Sequence, residues 1–566
     1  MHTTGLEILD DLGALERDPA TAELIRSGRT MGCFYIESPS MRSLFQRMDC
    51  ECYEDVVAAS SIIRPGVAES GMMRAYIERR REIRGERQEA RGKTGCQSVP
   101  HLQSGIQNPK FKICYLHPKL GELLAETYGV MVYQEDVIKV VHELGGLSLG
   151  EADILRRAMS GKAGGREAME SLTERFFTGC RQRGVPEPVI EELWRQIETF
   201  ARFSFCKGHS AAFAVLSYQV AYLKAHYPAE FMAAVLSNGG GFYGAAAYIQ
   251  ECRRMGLRIL GPDVNESEID YHGKTEERRE TTSDSSPPIR LRRTKIGWVR
   301  VGFAAIKNFP LDLARQIVKV RQERPFDGLK DFLRRVRPGH EATEKLIRVG
   351  AFDLFGIPRK RLFLELDICF RERTDGENEE LIGNDELEQK SDRKQLFTIT
   401  SASSEAAIQN PKSRIQNSRS DLTQRVTGEI ELLGYGVSAH PLELLPEEVW
   451  RGTVAACDLR RHVGRRVTII GWLIASKLVR TRASQAGGPC YQESSDPTRA
   501  GCPCHFMKFL SMEDLTGTFE VTLFPRAYRR FAPLTLRPGP FRVRGKVEDD
   551  QGALNLVADH IEIIPV

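Results

Sequence analysis

Residues 154–162 read ILRRAMSGK, and residues 205–236 read FCKGHSAAFAVLSYQVAYLKAHYPAEFMAAVL. The second stretch is apolar over most of its length, and its polar residues recur at a spacing typical of a packed helix. One compact group of cations lies in the first stretch, and another lies at the start of the second. We therefore predict a mainly helical region in which a buried helix holds phosphate-binding side chains at a cleft.

The first stretch predicts a helix with a basic end. Its apolar residues fall at helical spacing, so Arg156 and Arg157 project from the opposite flank, and Gly161 ends the helix beside Lys162. Planar guanidinium groups and a compact ammonium group suit a polyphosphate better than a single carboxylate. Taken alone, the cluster is equally well explained as an exposed basic helix end.

A short polar island, residues 207–210, precedes the longest apolar run. Ser210 is the predicted N-cap of a helix that starts there, because serine side chains accept hydrogen bonds from unpaired N–H groups. That helix would direct its first backbone N–H groups, flanked by Lys207 and His209, at an anion. A capping histidine without a ligand is the alternative interpretation of His209.

Four blocks of this region resemble the fingers of the bacterial C-family DNA polymerases, the family of the DNA polymerase III alpha subunits. They are YGVMVYQEDV at 128–137, LGEADILRRAM at 149–159, FCKGHSAAFAVLSYQ at 205–219 and YLKAHYPAEFMAA at 222–234. The resemblance implies templated transfer of deoxynucleotides from deoxynucleoside triphosphates to a primer end, with primer-template DNA as the partner. It also implies a nucleotide- or phosphate-binding role for Arg64, Arg156, Arg157, Lys162, Lys207, His209 and Ser210.

Two further blocks near the N-terminus carry the same resemblance. Arg64-Pro65-Gly66 looks like a block at the nucleotide and primer side of the fingers, where proline and glycine would present the arginine at a helix junction. A structural turn with an exposed arginine is the alternative. TMGCFYIESPSMRSLF at 30–45 predicts a helix start at Ser38, and Tyr35 stands where many members of the family carry glutamine.

The composition excludes strong electrostatic attraction of nucleic acid by the protein as a whole, because 80 Lys and Arg against 76 Asp and Glu leave a net charge of +4. Any DNA affinity must therefore come from local patches. The length of 566 residues predicts about three or four domains.

The N-terminus lacks a signal-peptide pattern and polar residues interrupt the most apolar helix, so we predict a soluble, cytoplasmic protein without a membrane partner. The 13 cysteines, mostly single within apolar segments, are typical of reduced thiols.

Charge and turn residues divide the chain into successive segments, mainly α-helical with a C-terminal all-β OB-fold barrel. We predict fingers over 1–265 with an insert at about 84–112, a loop at 266–298, a helix-hairpin-helix segment over 299–371, a disordered linker over 372–425, a connector over 426–465, and an OB-fold domain over 466–566 with an insert at about 483–505. The string IQNPK occurs at 106 and again at 408, which predicts inserted, poorly ordered surface loops.

The helix-hairpin-helix segment resembles that of the same polymerases, in which hairpin glycines let backbone N–H groups approach a DNA phosphate. Lys307 is the candidate DNA-binding residue here. The hairpin reads Asn308-Phe309-Pro310, from which we expect lost flexibility and one missing hydrogen-bond donor.

In the linker, Leu396 and Phe397 are candidates for the peptide that binds the sliding clamp in this family, although RKQLF lacks the glutamine at the usual offset. Other replisome subunits are further candidate partners.

Five or so strand-like runs near the C-terminus predict the small barrel. The resemblance implies that it binds single-stranded DNA through basic and aromatic side chains. The candidates, each of which could also be an ordinary surface or core residue, are Lys477, Arg480, Lys508, Phe524 and Arg526. The insert carries Cys490, Cys502, Cys504 and His505, but this is not a standard zinc spacing, and we expect no zinc there.

Polymerase chemistry requires closely spaced carboxylates that hold two Mg²⁺ ions. No strand-like run contains such a pair, and Glu135 and Asp136 are better explained as acids in the first turn of a helix. In the family, the palm carboxylates precede the block at 30–45. We therefore predict no catalytic residue and no metal ligand here, and a chain that is inactive without a palm-containing polypeptide. The alternative is a non-catalytic DNA-binding or scaffold product of a split or truncated polymerase gene.

Overall fold

The computed structural model describes residues 7–63, 71–94, 115–159, 166–201, 206–278, 294–381, 411–481 and 505–565. The chain forms two compact units, residues 1–226 with 549–553 and residues 227–548 with 554–566. The first unit is helical, and the second combines helices with two β-sheets. None of the helices in the described ranges is both long and apolar enough to cross a membrane.

Helices of 6 to 23 residues, separated by polar and glycine-containing turns, build the first unit. They are α1 Leu12–Arg17, α2 Pro19–Arg26, α3 Pro39–Met48, α4 Tyr53–Ile62, α5 Met72–Thr94, α6 Pro118–Leu123, α7 Gln134–Glu143, α8 Leu149–Met159, α9 Arg166–Gln182, α10 Glu187–Ala201 and α11 Lys207–His226. Ser38 accepts a hydrogen bond from the backbone N of Met41 at 3.3 Å, with Pro39 in the first turn of α3. The predicted helix start at Ser38 is therefore confirmed. Helix α5 continues to Thr94, inside the predicted insert.

Helix α11 packs closely against α4 in the core of the first unit. The side of α11 that faces inward carries small residues, and Ser210, Ala214 and Ala221 are all buried. Helix α4 has no exposed side, since every residue from Asp55 to Ile62 is buried, as expected for a core helix. The hydroxyl oxygens of Ser61 and Ser210 lie 2.8 Å apart, so the two helices share a buried polar contact as well as apolar packing.

Lys224, near the end of α11, is a buried lysine with only 1% of its surface exposed. Its Nζ donates hydrogen bonds to the carbonyl oxygens of Arg29 at 2.8 Å and Met31 at 2.7 Å. A buried ammonium group needs such acceptors, because its transfer from water is otherwise very costly. The lysine thus fixes the loop that follows α2 against α11.

The second unit combines helices with a small mixed sheet. The helices are α12 Pro228–Asn238, α13 Ala245–Arg254, α14 Leu311–Glu323, α15 Leu329–Val336, α16 His340–Arg348, α17 Arg359–Leu381 and α18 Pro411–Leu433. The strands are β1 Leu257–Leu260, β2 His272–Arg278 and β3 Thr294–Arg300. The central strand, β3, pairs in parallel with β1 and antiparallel with β2.

Strand β2 and the first part of β3, residues 294–298, lie inside the segment 266–298 that was predicted to be a loop, and the prediction is wrong for these residues. Their hydrophilic composition is explained by position in the sheet. Lys274 and Glu276 are exposed on β2, which is an edge strand, whereas Val299 of the central strand is fully buried. A partly solvated antiparallel edge does not need apolar residues on both faces.

Two helices also extend into the segment 372–425 that was predicted to be a disordered linker. Helix α17 continues to Leu381 and α18 begins at Pro411, so the prediction is corrected for these helical residues. The second IQNPK string runs into α18, while the first lies outside the described residues. Glu429 of α18 is buried and accepts hydrogen bonds from the backbone N of Val437 at 2.7 Å and Ser438 at 2.8 Å, contacts that a composition-based prediction cannot anticipate.

The C-terminal part of the second unit is a closed five-stranded barrel with the strand order β4-β5-β6-β8-β7. Its elements are β4 Arg466–Thr481, β5 His505–Glu513, β6 Thr518–Leu523, α19 Pro525–Phe531, β7 Phe541–Asp550 and β8 Ala553–Ile563. Strands β6 and β8 pair in parallel, and alternate residues such as Ile469, Leu510, Val521 and Val543 fill the interior. The predicted OB-type barrel is confirmed.

Candidate nucleotide and DNA interfaces

Two arginines in the last turn of α8 share one carboxylate. Arg156 donates from Nε at 3.0 Å and from Nη2 at 2.8 Å to Oδ1 of Asp153, and Nε of Arg157 lies 2.8 Å from Oδ2. These hydrogen bonds lower the pKa of Asp153 below its usual value, and those from Arg156 have the largest effect. The side chain of Arg156 is 17% exposed and that of Arg157 is 59% exposed. Arg157 is therefore better placed to exchange its carboxylate partner for a phosphate.

Lys207, the first residue of α11, is held by two acidic side chains. Its backbone N donates to Oε2 of Glu135 at 3.1 Å, and its Nζ forms an ion pair with Glu126. The Nζ atom also lies 5.5 Å from the centre of the Tyr133 ring. The Glu135 carboxylate thus takes the place at the helix N-terminus where an external anion was predicted.

The helix α7 brings the two groups of cations together. Its first residue, Gln134, accepts a hydrogen bond from Nη1 of Arg156 at 3.0 Å, and its second residue, Glu135, contacts Lys207. Arg156 of α8 and Lys207 of α11 therefore contact adjacent residues of α7. Each of these cations is paired with a carboxylate of the chain, so a phosphate must compete with Asp153 and Glu126 for them.

Ser210 is not the N-cap of α11, which corrects the prediction. The helix begins three residues earlier, and the backbone N of Ser210 already donates to the carbonyl oxygen of Cys206 at 3.3 Å. The Ser210 side chain points instead to Ser61, and both residues are buried in the core. His209 is exposed, and its ring centre lies 4.2 Å from that of Phe213.

Several predicted site residues lie outside the described residues. They are Arg64, Lys162, Leu396, Phe397, Cys490, Cys502 and Cys504. Their proposed roles in nucleotide, clamp or metal binding remain predictions.

Glu135 and Asp136 begin α7, as predicted for acids in the first turn of a helix. Asp136 accepts hydrogen bonds from the backbone N of Val132 and of Tyr133, both at 2.9 Å. Burial raises the pKa of Asp136 to about 6, although these hydrogen bonds oppose the shift. Across the described ranges, no three His, Cys, Asp or Glu side chains are gathered closely enough to hold a metal ion.

The hairpin before α14 keeps the backbone geometry that glycine would supply. Asn308 has a φ of +54°, a left-handed conformation that asparagine tolerates better than most residues. Asparagine thus adopts a conformation here that glycine also favours, and the expectation of lost flexibility remains a prediction. Lys307 is exposed, its backbone N donates to the carbonyl oxygen of Leu432 at 2.8 Å, and Nζ of Lys345 donates to the carbonyl oxygen of Asn308 at 3.1 Å.

The barrel candidates fall into two groups. Lys477, Arg480, Phe524 and Arg526 are exposed. Lys508 is half-buried instead, and its Nζ donates to the carbonyl oxygen of Thr535 at 3.2 Å and to its hydroxyl oxygen at 2.9 Å. Burial lowers the pKa of Lys508. The lysine is therefore directed to a neighbouring turn of its own domain.

Phe509 is a surface aromatic residue that the sequence reasoning missed. It pairs with Lys477 across β4 and β5, and cross-strand partners lie on the same face of a sheet. Its neighbour Leu510 is buried in the core while Phe509 is 37% exposed. The alternation along β5 could have revealed it, since a residue next to a core position points outward.

Comparison with known families agrees with this geometry. Residues 11–184 match the family model of the bacterial DNA polymerase III alpha subunit finger domain, and residues 256–362 match a helix-hairpin-helix motif. Together with the closed barrel, these matches place the chain in the bacterial C-family DNA polymerases.

Within that family, the chain is similar to alpha subunits of DNA polymerase III. The subunit of Saccharopolyspora erythraea is 30% identical over 569 residues, which cover 98% of this chain and 41% of that protein. The subunit of Thermus aquaticus is 32% identical over 559 residues, which cover 97% of this chain and 38% of that protein. An error-prone DNA polymerase of Symbiobacterium thermophilum is 29% identical over 563 residues, with coverages of 97% and 46%. The chain thus spans less than half the length of these curated relatives.

Proposed function

We propose that this chain supplies the fingers, the helix-hairpin-helix segment and the OB-fold barrel of a DNA polymerase that transfers deoxynucleotides to a primer end on a DNA template. The proposal includes a palm, with its two Mg²⁺ ions, that is provided outside these 566 residues and bears the catalytic carboxylates. Primer-template DNA and deoxynucleoside triphosphates are the proposed partners and substrates.

The observation that carries the proposal is the meeting of cations from α8 and α11 at the start of α7. Arg156 donates hydrogen bonds to Asp153 and Gln134. It therefore fixes the position of the Asp153 carboxylate, which also pairs with Arg157. Arg157 and Lys207 would exchange their carboxylate partners for triphosphate oxygens. Their charges would then stabilise the negative charge that develops on the leaving pyrophosphate.

The same pairing predicts that the chain alone binds nucleotides weakly. A triphosphate gains contacts with Arg157 and Lys207 only after it has displaced Asp153 and Glu126 from them. The gain is therefore the difference between two sets of charge-assisted hydrogen bonds. Binding becomes strong when further groups, such as palm-bound metal ions, hold the same phosphates.

Reassembly tests this function directly. The purified chain is mixed with a polypeptide that carries the palm of a C-family polymerase, and primer extension is measured with magnesium and all four deoxynucleoside triphosphates. We expect extension by the mixture and none by either polypeptide alone. Robust extension by the chain alone would contradict the proposal that another polypeptide provides the palm. A stable complex that binds DNA but does not extend the primer would support the non-catalytic scaffold instead.

The barrel surface yields a binding prediction for single-stranded DNA. Phe509→Ala removes an exposed aromatic ring beside Lys477, and loss of one base stack is expected to weaken binding about 10-fold. Lys477→Gln should weaken binding to all sequences alike and reduce the slope of the logarithm of affinity against the logarithm of salt by about 0.7. Fluorescence anisotropy with a labelled oligonucleotide measures both effects.

Leu536→Ala is the matched control for the barrel surface, because Leu536 is 83% exposed and apolar but lies outside the strands. It should leave the affinity unchanged. Equal affinities for wild type and Phe509→Ala would remove this face from the DNA interface.

A further inference from the structure

Helix α17 carries two large apolar side chains on its solvent-exposed face. The opposite face packs into the second unit, where α17 contacts α15 and α16 and where Leu362 and Leu366 are fully buried. On the outer face, Leu364 is 62% exposed and Ile368 is 46% exposed. These two residues are four positions apart, so they lie one turn apart and form a continuous apolar surface.

Charges of opposite sign extend this surface at its two ends. Arg361 lies one turn before Leu364, and Glu372 lies one turn after Ile368. Both charged side chains are exposed, and neither has an ion-pair partner among the described residues. Arg371, at the edge of the same surface, already has a partner within its own chain. We name the four residues Arg361, Leu364, Ile368 and Glu372 the α17 face.

The cation of the α17 face lies at the end of the helix where a cation is unfavourable. The first turn of a helix carries a partial positive charge, which carboxylates stabilise and cations do not. Arg359 is accounted for by Asp353, because its Nε donates to Oδ1 of that residue at 2.9 Å. Lys360 and Arg361 have no such partner in the part of the chain that the structure describes. Their position therefore favours a role in contact with another molecule.

We propose that the α17 face binds the α17 face of a second copy of this chain, with the two helices antiparallel. Arg361 of one copy then meets Glu372 of the other copy, and the two-fold axis produces this contact twice. Between the two ion pairs, Leu364 and Ile368 of each copy pack against those of the other. The proposal does not depend on the proposed function, because it uses no residue of the nucleotide or DNA interfaces.

The order of the side chains favours a second copy over an unrelated partner. A two-fold interface brings one patch of the surface against the same patch of the other copy, so the patch must be complementary to itself. The α17 face reads positive, apolar, apolar, negative, which is complementary to itself when one copy is reversed. A parallel pair would bring Arg361 against Arg361 and Glu372 against Glu372, and such like-charge contacts are unfavourable.

The length of the α17 face indicates a weak interface. Residues 361–372 extend roughly 17 Å along the helix axis. One helix face of this length buries less than the approximately 800 Å² per partner that stable complexes bury. We therefore expect an equilibrium between monomer and dimer, with a dissociation constant on the order of 10–100 µM.

Sedimentation equilibrium of the full chain tests the proposal. As the protein concentration rises through this range, the average mass should rise from that of a monomer towards that of a dimer. Leu364→Glu and Ile368→Glu should each raise the dissociation constant at least about 10-fold, since each places a carboxylate against an apolar side chain. Both positions are exposed, so circular dichroism spectra should match the wild type.

Exchanging the two charges tests the antiparallel arrangement separately from the apolar contact. Arg361→Glu should raise the dissociation constant about fivefold, because it brings two carboxylates together. The double variant Arg361→Glu, Glu372→Arg should restore the affinity of the wild type. The two positions are roughly 17 Å apart along one helix, so the rescue cannot arise within a single copy.

Leu311→Glu is the matched control, since Leu311 is 48% exposed on α14 of the same unit. This variant should dimerise like the wild type. A wild-type chain that stays monomeric throughout the concentration range would overturn the proposal, and so would a dimer that persists unchanged in Leu364→Glu and Ile368→Glu. Failure of the double variant to regain affinity would exclude the antiparallel pairing.

Discussion

Primer extension by the reassembled polymerase is expected to fall at least about 100-fold when Arg157 is replaced by alanine. Arg157 is the exposed member of the pair that shares Asp153, so its guanidinium can reach a triphosphate without disturbing the core. A cation that stabilises charge in the transition state lowers kcat when it is removed. Single-turnover extension rates, measured over a range of nucleotide concentrations, separate this effect from weaker nucleotide binding.

Arg181→Ala provides the control for the loss of one exposed arginine. Arg181 is 55% exposed and pairs with Glu187, and it lies at the end of α9, outside the proposed site. Extension by this variant should match that of the wild type. A higher KM with an unchanged kcat for Arg157→Ala would show that the residue contributes only to ground-state binding, against the role assigned to it.

Replacing Arg80 with methionine is expected to lower the free energy of unfolding of the helical unit by about 3–5 kcal/mol. Arg80 of α5 forms a two-point contact with Asp55 of α4, at 3.0 Å from Nε and 2.6 Å from Nη2. Only 1% of the Arg80 side chain and 4% of the Asp55 side chain are exposed. Burial opposes the charge of Arg80, but the charge and hydrogen bonds of Asp55 outweigh it and raise the pKa of the guanidinium.

The loss is large because methionine leaves a buried carboxylate without its countercharge. Methionine keeps most of the side-chain volume, so the change in stability reports the charge and not a cavity. The double variant Arg80→Met, Asp55→Asn should recover at least half of the loss, since asparagine can still accept the hydrogen bond from the backbone N of Glu51 at the start of α4. Urea unfolding followed by circular dichroism measures each variant.

Arg74→Ala is the control on the same helix, because its pair with Glu78 is exposed. Exposed pairs contribute about 0–1 kcal/mol, so this variant should unfold close to the wild type. A similarly small effect of Arg80→Met would mean that other groups stabilise the buried Asp55 carboxylate, against the prediction.

The parts of the fold that the sequence predicted correctly depend on neighbouring residues. Ser38 directly precedes α3 and accepts a hydrogen bond from the backbone N of Met41, three residues later. Asp136, in the first turn of α7, accepts hydrogen bonds from Val132 and Tyr133, which directly precede the helix. The alternating runs of the barrel likewise carry their own signal. Arg156 and Arg157 are also adjacent in sequence, but their role in phosphate binding remains a prediction.

The parts that could not be predicted depend on contacts that are distant in sequence. Lys207 pairs with Glu126, 81 residues earlier, so this ion pair cannot be predicted from either segment alone. Ser210 was assigned to a cap because its core partner, Ser61, lies 149 residues away. Strand β2 resembles a loop until β3 pairs with it. In each case, tertiary packing overrides a preference that is weak on its own.

The closure of the barrel limits how this domain can recruit other chains. Among the strands that the structure describes, β4 to β8 form a ring in which each strand has neighbours on both sides. An incoming peptide can add its backbone as a further strand only where a barrel strand lacks a neighbour, and the neighbours of β4 change along its length, from β7 over 466–471 to β5 over 472–481. Where both edges of a strand are paired, recognition depends on the identity of surface side chains, and point substitutions can tune it one contact at a time.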